Sequence, residues 1–233
     1  MLGALGYGAL AASSLLIGAW IGLTGELDRR AVGLVLGFGA GALISSVSFE
    51  LAEDGVRIGG GPSVGIGLAV GALTYYVCDG VVERHSGGGA TGNALALGAF
   101  LDGIPEQLVL GISIAGGAGV SVGLLAAIFV SNLPEAIGSA TEMRAGGGGP
   151  RRIRRLWLGV AAVCTAATVV GYAIADATGG NLQGAIDGFA AGALLVMLSD
   201  SMIPDAREKA GRVAGLVTVL GFAVAAALSG VST

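Results

Sequence analysis

Eight apolar stretches, each close to the roughly 20 residues that an α-helix needs to cross a hydrocarbon layer, fill almost the whole sequence. They run at about 4–24, 32–53, 63–82, 93–115, 119–143, 154–175, 183–204 and 211–231. Almost nothing remains for a soluble domain. The composition agrees, with 54% hydrophobic and 12% charged residues where soluble domains carry about 25% charged. The expectation is an all-α integral membrane protein of eight transmembrane helices. A single transmembrane domain then covers 1–233, with helices 1–3 at 4–82, a central pair at 93–143 and helices 6–8 at 154–231.

The first stretch has neither a basic region ahead of it nor a small-residue cleavage site leading into a soluble chain, so it reads as a retained helix. Placing the N-terminus outside assigns Arg29, Arg30, Arg84, Arg144, Arg151, Arg152, Arg154, Arg155, Arg207, Lys209 and Arg212 to cytoplasmic loops and leaves only Arg57 outside. That bias toward the inside predicts both termini outside the cytoplasmic membrane. The net charge of −4 says little, because many acids fall within or at the ends of spans. No basic patch marks a nucleic-acid partner.

The chain repeats itself. Gly37-Phe38-Gly39-Ala40-Gly41-Ala42-Leu43 in the second stretch returns as Gly188-Phe189-Ala190-Ala191-Gly192-Ala193-Leu194 in the seventh. Acids close both: Glu50, Glu53 and Asp54 in the first copy, Asp200 and Asp205 in the second. An odd number of crossings separates the copies, which makes the repeat inverted and the layout 3+2+3. The 45 glycines recur at small-xxx-small spacing and predict close helix contacts. Cys78 and Cys164 have no CxxC spacing and read as small packing residues.

The central pair of stretches carries the chemistry. Leu101-Asp102-Gly103-Ile104-Pro105-Glu106 and Val130-Ser131-Asn132-Leu133-Pro134-Glu135 put carboxylates near mid-membrane, where an ionised Asp or Glu costs about 2.5–3.5 kcal/mol or more without a compensating partner. On a helix Asp102 shares a face with Glu106 and Ser131 with Glu135, and Asn132 lies only slightly off that line. Each proline removes one backbone donor, which predicts a bend and a freed carbonyl. Carboxylates, a hydroxyl and an amide converging at this depth suit a passing cation. The structural alternative, bent helices with protonated acids, explains neither the repeat nor the convergence of like charges.

These residues resemble the ZIP (Zrt/Irt-like protein) family of divalent metal transporters, and the likeness covers essentially the whole chain. The resemblance implies that Asp102 and Gly103 stand where the family has His and Asn ahead of Pro105-Glu106. It implies likewise that Ser131 and Asn132 precede Pro134-Glu135 where the family has a His- or Gln-led motif. The sixth stretch lacks the glutamate that some members add, with Thr165 and Thr168 as its polar candidates, so one metal position is expected. The implied site is all oxygen: Asp102, Glu106, Glu135, Ser131 and Asn132. Carboxylate and carbonyl ligands suit Mn and Fe(II) more than imidazole does, which shifts the expected preference from zinc toward those metals with zinc still bound. The metal is cargo; no prosthetic cofactor is expected. The resemblance further implies uptake into the cytosol, a membrane-lipid environment and a homodimer, which the glycine-rich faces permit.

Glu50, Glu53, Asp54 and Asp187 read as an acidic outer mouth, and Asp200 and Asp205 as an inner exit or as partners of cytoplasmic arginines. The lone histidine, His85, falls in the loop between the third and fourth stretches and reads as a solvated residue. Trp20, Trp157 and Tyr172 suit an interfacial aromatic belt. Two rivals remain: a non-transporting metal sensor or scaffold on the same fold, and an intramembrane hydrolase. The hydrolase is disfavoured because the chain has no GxGD, HExxH or GxSG motif, so an enzyme is not expected.

Overall fold

In lipid a helix satisfies its own backbone hydrogen bonds, and every described element of this chain is helical. The computed structural model describes the backbone of residues 1–25, 28–85, 92–116 and 121–229, and the side chains within these except 82, 83, 85, 92–102 and 229. The elements are α1 (Leu2–Thr24), α2 (Arg29–Ser46), the π-helix π1 (Val47–Glu53), α3 (Asp54–Gly59), α4 (Gly61–His85), α5 (Gly92–Ala115) and α6 (Val122–Ala145). They continue with α7 (Pro150–Asp176), α8 (Gly180–Met197), π2 (Leu198–Met202), α9 (Ile203–Ala210) and α10 (Val213–Ser229).

Capping residues set several of these ends. The Asp28 carboxylate accepts the Ala31 N–H at 3.2 Å to open α2, and the Ser121 hydroxyl accepts the Leu124 N–H at 3.1 Å to open α6. Pro150 opens α7, where its missing N–H leaves no bond unmade.

The second and seventh stretches are longer than the sequence predicts. α2, π1 and α3 join into one 31-residue rod, Arg29–Gly59, and α8, π2 and α9 into another of the same length, Gly180–Ala210. A π turn makes i→i+5 hydrogen bonds and so carries an extra residue without breaking the rod. Hydropathy does not register such a turn. Both rods end on a left-handed glycine, Gly60 at φ 81° and Gly211 at φ 66°, whose N–H groups bond back to the carbonyls of Val56 at 2.9 Å and Arg207 at 2.8 Å. Only glycine adopts that conformation without steric cost, so the chain can turn sharply into α4 and α10.

Among the described residues, six helical stretches are long and apolar enough to cross a membrane: α1, the two rods, Gly61–Val81 of α4, α6 and α7. The described apolar parts of α5 (Gly103–Ala115) and α10 (Val213–Leu228) are shorter. These are the proportions of a multi-pass helical membrane protein.

The glycine repeat of the sequence is a repeat of helix contacts. α4 lies along α8, and α10 lies along α2. A Cβ added at Gly188 or Gly192 would strike the carbonyls of Val64 and Leu68; one added at Gly41 would strike the Thr218 carbonyl, and one at Gly37 would stand 3.1 Å from the Ala214 carbonyl. The centre repeats as well, with α1 along α6 and α5 along α7. Gly22 faces the Ile137 carbonyl and Gly171 the Leu108 carbonyl, each two residues beyond a Pro-Glu step. Such approach of backbones is what small residues provide between membrane helices, where no hydrophobic force draws helix to helix.

Two expectations need correction. Trp157 is fully buried and belongs to a core cluster with Leu15, Ala19, Ala136, Met143 and Ile153, so it is no interfacial anchor; α7 begins at Pro150 and has already entered the bundle by that turn. Trp20, 62% exposed, does lie on the surface. His85 ends α4 and is not in a loop; its side chain is outside the described residues.

Candidate functional site

α5 and α6 continue as helices through Pro105 and Pro134, both buried. α2 presses against α6 at the critical turn: a Cβ on Gly39 would lie 3.1 Å from Ser131 Cα. That contact leaves the Ser131 side chain to turn toward α5. Ser131 Oγ donates to Glu106 Oε1 at 3.0 Å, and Asn132 Nδ2 donates to Glu106 Oε2 at 2.6 Å. The second N–H of Asn132 donates to the Ile128 carbonyl at 2.9 Å, and the single Ser131 hydroxyl proton is shared with the same carbonyl at 3.0 Å, which holds both rotamers. Glu106 is 2% exposed, and Ser131 and Asn132 are 1% exposed each. One neutral donor on each carboxylate oxygen fixes the plane of the group without adding a countercharge.

The geometry brings together Glu106, Ser131 and Asn132 from the expected set. Glu135, one turn further along α6, is half-buried. The Asp102 backbone lies in α5, and its side chain is outside the described residues. Asn132 Oδ1 is buried and accepts no hydrogen bond, so an acceptor is left open beside the Glu106 carboxylate. Among the described residues no three of His, Cys, Asp and Glu converge as a ready-made metal cage.

Three further neighbours join the site: Gln107, which the sequence does not single out, Thr168, which it offers only as a polar candidate of the sixth stretch, and Cys164, which it presents as a packing residue. Gln107 is fully buried, and its Oε1 accepts the Thr168 hydroxyl of α7 at 2.5 Å. Thr168 in turn sits against Gly8 of α1, where a Cβ would be 2.8 Å from its Oγ1. Cys164, one turn before Thr168, is fully buried, with its Sγ packed against Gly103 of α5. The signal that could have found them is the i, i+4 spacing of Cys164 and Thr168, which puts both on one face of α7.

The peripheral acids divide. Glu50, in π1, accepts the Ser121 hydroxyl at 2.5 Å at the N-terminus of α6, where the helix dipole favours an anion. Asp54 pairs with Arg57 at 2.8 Å, the adjacent Gly55 packs against the Asp187 side chain, and Glu53 is exposed. Asp187 is 4% exposed, accepts Gln183 Nε2 at 2.9 Å, and Gln183 accepts the Thr178 hydroxyl at 2.9 Å. On the other rod Asp200 is exposed and Asp205 pairs with Lys209. Glu208 pairs with Arg29, and Arg144 donates to the Leu23 carbonyl at 2.8 Å.

Comparison with known proteins finds a relative in Arabidopsis thaliana named "Putative zinc transporter", 31% identical over 208 residues, which cover 83% of this chain and 33% of the relative. The chain thus spans about a third of that protein's length. No family model matches.

Proposed function

We propose that this chain transports divalent metal cations across the cytoplasmic membrane through a site at the meeting of α5 and α6, as a member of the ZIP family. The observation that carries the proposal is the Glu106 carboxylate, buried and fixed by Ser131 and Asn132, with the open Asn132 Oδ1 beside it. A carboxylate and an open acceptor, joined by Glu135 one turn on, gather negative charge and lone pairs where a cation relieves them. The likeness to a protein named as a zinc transporter supports the same reading.

The proposed architecture is eight spans in a 3+2+3 inverted repeat with both termini outside, in a single domain. The exchanged packing of α4 on α8 and α10 on α2 supports the repeat. Asp102, Glu106, Glu135, Ser131 and Asn132 form the metal seat; Zn, Mn and Fe(II) are the proposed cargo. Glu50, Glu53, Asp54 and Asp187 form the proposed outer mouth, Asp200 and Asp205 lie toward the exit, and transport is uptake by alternating access in a homodimer.

Uptake of radiolabelled manganese, iron and zinc into proteoliposomes tests this, with wild type set against Glu106→Gln and Glu135→Gln. Flux that falls to background in both variants is the expected result. Folded protein that binds metal but moves none would overturn transport and leave a sensor or scaffold.

A further inference from the structure

We propose that Cys164 is a ligand of the transported metal and makes the seat a mixed oxygen and thiolate site, selective for borderline-soft cations such as zinc and cadmium over manganese. This rests on the α5–α6 centre being the metal seat. It replaces the all-oxygen ligand set and manganese-leaning preference that the sequence alone suggests.

The argument begins with Gly103. It stands one turn before Glu106 on α5, and its missing side chain leaves a notch. A Cβ built there would lie 2.9 Å from Cys164 Sγ and 3.8 Å from Asn132 Oδ1. Sulfur from α7 and amide oxygen from α6 therefore approach one point on α5. Cys164 and Asn132 are 0% and 1% exposed, and Asn132 Oδ1 has no hydrogen-bond donor. An amide oxygen in that state needs a water or a cation to satisfy it.

Packing alone would make Cys164 a small apolar filler. Its surroundings are not those of a filler, since its sulfur faces the same point on α5 as the unpartnered, buried Asn132 Oδ1. A dication in the notch reverses the local field and favours the thiolate. On arrival of the metal the S–H bond breaks, the metal–sulfur bond forms and the proton leaves to water; Glu106, Cys164 and the Asn132 amide oxygen then share the ion. Thiolate ligands favour zinc, whereas oxygen ligands alone suit manganese.

The test uses full-length protein with Cys78→Ser, which removes the other described thiol, an exposed one. Cobalt(II) is the probe. A near-ultraviolet thiolate-to-cobalt charge-transfer band is expected, and it should vanish in Cys164→Ser and Cys164→Ala. Competition against cobalt should rank cadmium and zinc above manganese. Loss of a direct ligand should lower the zinc-to-manganese affinity ratio at least as much as loss of an outer-shell partner does, on the order of tenfold or more.

No band in the Cys78→Ser protein, which needs no variant at the site itself, overturns the inference, as does an unchanged metal ratio in Cys164→Ser. Flux assays separate this outcome from failure of the transport reading. Metal flux with no cobalt–sulfur band sinks the ligand role alone. A Cys164-dependent band without flux of any metal sinks transport and keeps the ligand.

Discussion

α5 and α6 carry nearly the same motif and do different work. α6 offers Ser131 and Asn132, and both reach across to bind the Glu106 carboxylate of α5. α5 offers Gly103 at the position matching Asn132, and Cys164 of α7 occupies the space beside it. Glu106 is consequently buried and held, while Glu135 is half-buried. A duplicated motif can thus keep its backbone role while its side chains specialise, one helix as donor and the other as acceptor.

The largest expected effect breaks the acceptor. Glu106→Gln replaces an anion with a neutral amide whose NH2 must face one of the two donors, Ser131 or Asn132, so metal binding measured by equilibrium dialysis should fall beyond detection. Glu135→Gln should also abolish flux but retain weak binding at Glu106. Equal loss of binding in the two variants would dissolve the asymmetry.

The next effect probes the scaffold that both helices need. Gly41→Leu and Gly192→Leu each drive a side chain into a facing carbonyl, of Thr218 and Leu68 respectively. Each should destabilise by about 1–3 kcal/mol or more, read as a lowered thermal midpoint in detergent. Similar losses at the two sites would sharpen the equivalence of the repeats.

Smaller effects dissect the donors. Asn132→Ala removes a hydrogen bond to a charged acceptor, worth about 1.5–3 kcal/mol, and with it the open Oδ1, so metal affinity should drop roughly tenfold or more. Ser131→Ala removes an interhelical bond whose mean value in membrane proteins is about 0.6 kcal/mol, and should weaken binding roughly threefold. A larger effect from Ser131 than from Asn132 would reverse the assignment of the main donor. Glu208→Gln, at an ion pair with side chains 68% and 65% exposed, should change stability by less than about 1 kcal/mol in the same thermal assay.

Much of this is legible in the amino-acid sequence. The Gly37/Gly41 and Gly188/Gly192 repeats foretell close contacts because a backbone can approach only where a side chain is missing. Glu106, Ser131 and Asn132 are legible because polar residues deep in apolar runs have few structural uses. Gln107, Thr168 and Cys164 do not group with them by sequence, since residues on separate helices carry no mark of facing one another. Trp157 misleads for a related reason: closeness to the end of an apolar stretch does not say whether a ring faces lipid or protein.

The sequence by itself determined that the chain is built of apolar helices packed through repeated glycines, because lipid forces each apolar run to satisfy its own backbone and small residues mark where backbones meet. Tertiary structure decided which faces meet. A helix apolar on all sides has no polar face to orient it, so its rotation is set by packing against its neighbours. That rotation placed Asn132 on Glu106, Cys164 in the notch at Gly103 and Trp157 in the core.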